Sequence, residues 1–421
     1  MLALLLACTD DTSGAAYPAA DLVRFDGATL AAGTYDPREG DRVVEAATED
    51  GYDWSLALAE GALFAGVPAA GELRRYRLDG TDEAGGEVLG SGGVNEAYGA
   101  AVAVRGSAVA VGEPNASGGP GVAGAGAVEV VDGETSRFEG TISQGRYGAT
   151  VALCGDIDGD GADDLVAAAP WEADLAGAVY LAGSAVRLVG GSANGRFGGA
   201  LGCGDLVGAE ADDLVVGAPF ATGATGAVGE GAVTVLDAEA LSAGTASVIL
   251  VAPALSGGSE ASSFGASLAM CRFHASGRAD LVVGAPTASG GLGAVHVFFG
   301  RDELLAGAVA SVTLEGDATE GRFGSTVACG DVDGDGLDEL FVGAPGVNAS
   351  DGTAEAGAVY GFTGLGASAG TFTPASARWS FFADRAFLRT GATFVVGDLD
   401  ADGLAELVLL ERQRARSSTL E

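Results

Sequence analysis

Basic residues are scarce in this chain. Lys and Arg number 21 against 58 Asp and Glu, and the formal charge of −37 repels phosphate backbones and anionic lipid heads, which excludes nucleic acid as a partner. Histidine is scarcer still: His274 and His296 are the only two, and no Ser-His-Asp or Cys-His arrangement can be phased with the rest of the sequence. Aromatics make up only 7%. Beyond the first residues no apolar run approaches the 18 or so residues of a membrane-spanning helix. What is plentiful is glycine, 72 of 421 residues in a composition that is 48% hydrophobic. That balance suits many short strands joined by Gly-rich turns and argues against a helical protein.

The glycines are periodic. An aromatic-Gly pair opens each of five clear units, at Tyr98-Gly99, Tyr147-Gly148, Phe197-Gly198, Phe264-Gly265 and Phe323-Gly324. Gly-Ala-Pro or a variant follows, as at Gly112-Glu113-Pro114, Ala168-Ala169-Pro170 and Gly217-Ala218-Pro219, and then a run beginning Gly-Ala-Val, at Gly126, Gly177, Gly231, Gly293 and Gly357. Two worn units complete the series: Tyr52 to Pro68 aligns without a gap to Tyr98 to Pro114, and Thr390-Gly391 opens a last unit running to Glu411. The openings fall near residues 52, 98, 147, 197, 264, 323 and 390.

Within each unit, short apolar runs separated by glycine predict four strands. A four-stranded sheet cannot bury both faces alone. The expected fold is therefore all-β, a seven-bladed β-propeller of four-stranded blades over residues 20–411, with each opening aromatic packed between blades and 412–421 a tail. The last unit has only two strands of its own. Asp21 to Gly27 and Ala28 to Gly33 read as a third and a fourth, so residues 20–33 are expected to complete the last blade and close the ring.

Three strand-strand connections carry carboxylates at fixed spacing: Asp156-x-Asp158-x-Asp160-Gly161-x-x-Asp164, Asp331-x-Asp333-x-Asp335-Gly336-x-x-Glu339 and Asp398-x-Asp400-x-Asp402-Gly403-x-x-Glu406. Carboxylates at alternate positions of a tight loop point to one centre, and glycine permits the turn. The result is an oxygen cage for a hard cation, Ca²⁺ by preference. An EF-hand would require Glu at loop position 12, where Ala167, Val342 and Leu409 stand, and helices rather than strands on the flanks.

The phased unit resembles the FG-GAP repeat of integrin α-subunit propellers and their bacterial relatives. The resemblance implies calcium ligands at loop positions one, three, five, seven and nine, position seven through its carbonyl. Those are Asp156, Asp158, Asp160, Ala162 and Asp164; Asp331, Asp333, Asp335, Leu337 and Glu339; and Asp398, Asp400, Asp402, Leu404 and Glu406, for about three ions. Glu at position nine departs from the usual Asp. The unit opening at Phe197 keeps Asp205 and Asp213 but interposes Val207 and Ala209, and the unit opening at Phe264 places Arg272 and His274 where Asp is needed. Arg272 and Arg278 are the candidates to replace the cation beside Asp280.

Cys154, Cys203, Cys271 and Cys329 occupy matching places in four units. Equivalent positions of neighbouring blades are expected to lie too far apart for a disulfide, so these read as buried small side chains. The start, MLALLLAC, resembles the lipobox of bacterial lipoproteins, although no Lys or Arg precedes its short apolar run. Residues 1–19 then read as a signal and tether, with Cys8 the lipidated residue and the only membrane attachment. The expected protein is an extracytoplasmic, outer-membrane or cell-surface lipoprotein.

The resulting expectation is a monomeric calcium-binding adhesion or protein-binding module, not an enzyme. The alternatives are a carbohydrate-binding propeller and a glycan-processing enzyme with two carboxylates at the central mouth. The resemblance places the protein or glycan ligand on the face opposite the calcium loops, at Asn115 to Gly124, Trp171 to Ala176, Phe220 to Glu230 and Gly346 to Glu355, with Trp171 a candidate contact.

Overall fold

The computed structural model describes residues 20–25, 33–35, 41–46, 54–59, 61–77, 86–119, 121–207, 211–223, 226–243, 248–251, 261–300, 309–349, 352–367, 370–383, 387–399 and 402–412. It is an all-β propeller. In the blade that opens at Tyr147, the inner strand Thr150–Cys154 pairs antiparallel with Asp164–Ala169, which pairs with Ala178–Leu181 and then Arg187–Val189. The same order recurs in every sheet. Inner strands lie side by side around an axis, Thr150–Cys154 against Ala101–Arg105 on one side and Ala200–Gly204 on the other, and the circle closes where Phe394–Gly397 meets Ser55–Ala59.

The expectation of a seven-bladed propeller of four-stranded blades is overturned. Six blades each take their four principal strands from one run of chain, with inner strands from Ser55–Ala59 to Val327–Gly330. The remaining sheet is a composite: Phe394–Gly397 and Glu406–Arg412 are followed by Ala20–Phe25 and then Asp41–Ala46. Its outermost strand is thus Asp41–Ala46, not Ala28 to Gly33. Two sheets also carry a fifth strand. Gly33–Tyr35 adds in parallel to Trp379–Phe382, and Gly370–Phe372 adds in parallel to Val312–Glu315. Each covers an outer edge whose backbone groups would otherwise stand unpaired.

Second strands are the most buried, because a neighbouring blade lies on each face. Ala62–Val67, Asp213–Ala218, Asp280–Ala285 and Glu339–Ala344 are buried at all six positions. The opening aromatics fill the spaces between sheets: Tyr98, Phe264 and Phe323 are almost wholly buried, and Tyr147 packs with Val128 and Ala110 of the preceding blade and Leu165 of its own.

The cysteines depart from expectation. Cys154 is bonded to Cys203, and Cys271 to Cys329, with Cα separations of 5.5 and 5.8 Å. Equivalent positions are far apart at the rim but converge on the axis, and all four cysteines lie on inner strands.

Candidate metal centres

Each carboxylate loop lies where an inner strand hands over to the second strand, so all the loops share one face. In the first, backbone amides organise the acids. Gly159 and Asp160 donate to Asp156 Oδ1 at 2.6 and 3.0 Å, Gly161 donates to Asp156 Oδ2 at 2.9 Å, and Ala162 donates to Asp160 Oδ1 at 2.9 Å. Gly159 and Gly161 hold φ of 85° and 91°, a region costly for other residues. The second loop repeats the pattern: Gly334 and Gly336 donate to the two oxygens of Asp331, and Leu337 donates to Asp335 Oδ1. In the third, Gly403 donates to Asp398 and Leu404 to Asp402. Asp400 lies outside the described residues, as does Cys8.

Carboxylate oxygens of Asp156, Asp158 and Asp164 lie within 4.8 Å of one another, as do those of Asp331, Asp333 and Glu339. Loop positions one, three and nine therefore converge in both. The position-five acids, Asp160 and Asp335, accept from their own loop amides and are not part of these groups. Burial first and the neighbouring loop acids after it raise the pKa of Asp164 and hold that of Glu339 at about 7. Hard oxygen donors, crowded and partly desolvated, fit Ca²⁺. One loop already has a cation beside it: Arg378 Nη1 is 2.7 Å from Asp333 Oδ2 while its guanidinium lies over the Trp379 ring.

Position nine has a second role that its residue type hid. Its carboxylate accepts the amide of position two in five loops, complete or broken: Asp164 from Ile157, Asp213 from Leu206, Asp280 from Phe273, Glu339 from Val332 and Glu406 from Leu399, at 2.6–3.1 Å. Those five position-two side chains are at most 3% exposed. In the three complete loops the sequence signal was present, an apolar residue between two acids in a polar loop. Position two anchors the loop in the core and position nine ties it down.

The broken loops give their acids other partners. Arg278 pairs with Asp205 of the preceding unit at 3.3 Å rather than with Asp280. Asp280 instead accepts from the amides of Phe273 and Gly300 and faces His274 Nδ1 at 3.1 Å, and Arg272 engages Asp338 through its backbone, its amide donating to the carboxylate and its carbonyl accepting the Asp338 amide. Asp213 is buried, which pushes its pKa up to about 6. Before the first complete loop, Arg105 reaches across the blade boundary to Asp163 at 3.0 Å.

A family model of the FG-GAP repeat matches residues 147–181 and 323–362, the two stretches that hold the converging carboxylates. The chain is 32% identical over 152 residues to phosphatidylinositol-glycan-specific phospholipase D of Rattus norvegicus, covering 34% of this chain and 18% of that protein. It is 47% identical over 58 residues to integrin alpha-4 of Xenopus laevis, covering 14% of this chain and 5% of that one. The match thus spans less than a fifth of either relative. The crystal structure of BBS1N in complex with ARL6DN superposes on 95% of this chain with a TM-score of 0.46 and 11% identity.

Proposed function

We propose that this chain, a β-propeller carrying FG-GAP repeats and similar in part to integrin alpha-4, is a calcium-stabilised, monomeric module that binds a protein partner outside the cytoplasm, with Cys8 as its lipid anchor. The observation that carries the reading is the convergence of positions one, three and nine in two loops on one face, which leaves the opposite face for a ligand. Bound calcium would supply charge neutralisation there, and the chain's own amides already orient the acids toward it. Two disulfides support an oxidising compartment.

Binding is favoured over catalysis because both histidines are engaged in structure. His274 bridges Asp280 and the Gly366 carbonyl, and His296 is fully buried beside Phe264. Calorimetric titration of the chelated chain tests the metal reading. About three ions per chain are expected, and no heat, together with a melting temperature indifferent to chelator, would refute it. Cys8→Ser should release the protein from membranes; unchanged fractionation removes the anchor from the proposal.

A further inference from the structure

Arg146, Arg196, Arg322 and Arg389 each stand immediately before the opening pair of a unit. All four hold φ between 52° and 57°, the left-handed region that non-glycine residues seldom adopt. Each is fixed there by its amide, which donates to Gly124, Leu175, Gly291 or Glu355 of the preceding blade at 2.9–3.2 Å. Inner strands run from these residues to the carboxylate loops, so the four arginines lie on the opposite face.

Their side chains are not equivalent. Arg389 is neutralised by Glu355 at 2.6 Å, and Arg105, Arg137, Arg187, Arg278 and Arg378 are likewise ion-paired. Arg146 and Arg196 make no ion pair among the described residues. They alternate with two aromatics instead: Arg146 lies 4.6 Å over the Trp171 ring, and Arg196 lies 5.1 Å over that ring and 4.9 Å over Phe220. Stacking occupies the faces of a guanidinium and leaves its in-plane N–H edges, the bidentate partners of a carboxylate. Trp171, already covered by two guanidiniums, offers no platform for a sugar ring.

Resting on the protein-binding reading above, we infer that the ladder Arg146, Trp171, Arg196 and Phe220 is the docking surface for an acidic peptide segment, whose carboxylates take the free edges of Arg146 and Arg196. Uncompensated positive charge at this patch fits an anionic segment, while the net charge of −37 carried by each chain opposes the approach of a second copy of this protein. Two guanidiniums at 4.6 and 5.1 Å from one ring centroid are less than about 10 Å apart, within reach of side chains about 7 Å apart on one face of an extended peptide.

The full chain, in calcium-containing buffer at low salt, is titrated with a fluorescent octapeptide of alternating Glu and Ser, its Gln-Ser counterpart and an oligogalacturonate of similar length. The Glu peptide is expected to bind at least about tenfold more tightly than the other two. Arg146→Gln and Arg196→Gln should each weaken it by about tenfold, whereas Arg389→Gln, whose charge is already neutralised, should not. Should a Gln variant fail to fold by its melting curve, Arg196→Lys, which keeps the charge and loses the planar fork, must still weaken binding several-fold. Equal affinity for the Glu and Gln peptides, preference for the galacturonate, or an equal loss in Arg389→Gln overturns the inference. A protein partner retained equally by wild type and the Arg146→Gln/Arg196→Gln double variant would leave the binding-module reading standing and remove this one.

Discussion

The carbonyl oxygen of Gly148 lies 2.0 Å from where a β-carbon on Gly112 would stand. The contact recurs between Gly66 and Gly99, Gly217 and Gly265, Gly284 and Gly324, and Gly343 and Gly391. The glycine of one unit's Gly-Ala-Pro thus touches the glycine of the next unit's opening pair. Blades approach backbone to backbone at these points, and the atom in the way is not a side chain that can rotate. Gly112→Ala is expected to cost at least about 1–3 kcal/mol. Gly119→Ala, with nothing within 4 Å, should leave the melting temperature unchanged.

Arg378 should weaken calcium binding at the loop it touches. Its guanidinium is 2.7 Å from Asp333, so a divalent ion there meets a resident positive charge. Arg378→Gln is expected to tighten one of the sites by about three- to tenfold, read as a change in a single phase of a calorimetric titration. Asp213→Asn, in a broken loop, should leave the ion count untouched.

Reduction should be felt at the axis. The two disulfides span 49 and 58 residues, and each is expected to contribute about 2–4 kcal/mol. The paired substitutions Cys154→Ser/Cys203→Ser and Cys271→Ser/Cys329→Ser should each lower the melting temperature. Adding reductant to the protein with all four replaced should lower it no further.

Acid should act partly through His296. Burial lowers its pKa to about 4, against an ordinary value near 6.5. The stability it contributes is complete above pH 6.5 and is lost as pH falls toward 4, because the unfolded chain takes up a proton that the folded chain refuses. Between those limits the wild type should lose up to about 3 kcal/mol that His296→Leu does not. Parallel melting curves of the two proteins across that range would contradict it.

The order of elements within a unit was legible because aromatic-Gly, the acidic loop and Gly-Ala-Pro each answer to a local backbone demand. The fifth strands were not: Gly33–Tyr35 and Gly370–Phe372 have three residues each, too short to show an alternation. Asp41–Ala46, with the sequence DRVVEA, lacks a clean period of two and was passed over for the nearer Ala28 to Gly33. Disulfides were missed because spacing along the chain carries no information on how closely inner strands converge. In the loops, the donor types were readable at positions one, three and nine. That position five turns to its own backbone, and that position nine clamps the loop, required coordinates.

Ala20–Phe25 pairs along its length with Glu406–Arg412, partners that leave a ribosome far apart in time. At about 5–20 residues per second, the roughly 390 residues between them take some tens of seconds to synthesise. Throughout that interval Ala20–Phe25 can pair with Asp41–Ala46 on one side only, and the inner strand Ser55–Ala59 waits for its neighbour Phe394–Gly397. Nascent chains of this protein therefore present open sheet edges until Glu406–Arg412 has been made. A holdase that keeps them unpaired during translation would be expected to raise its yield more than a foldase acting afterwards.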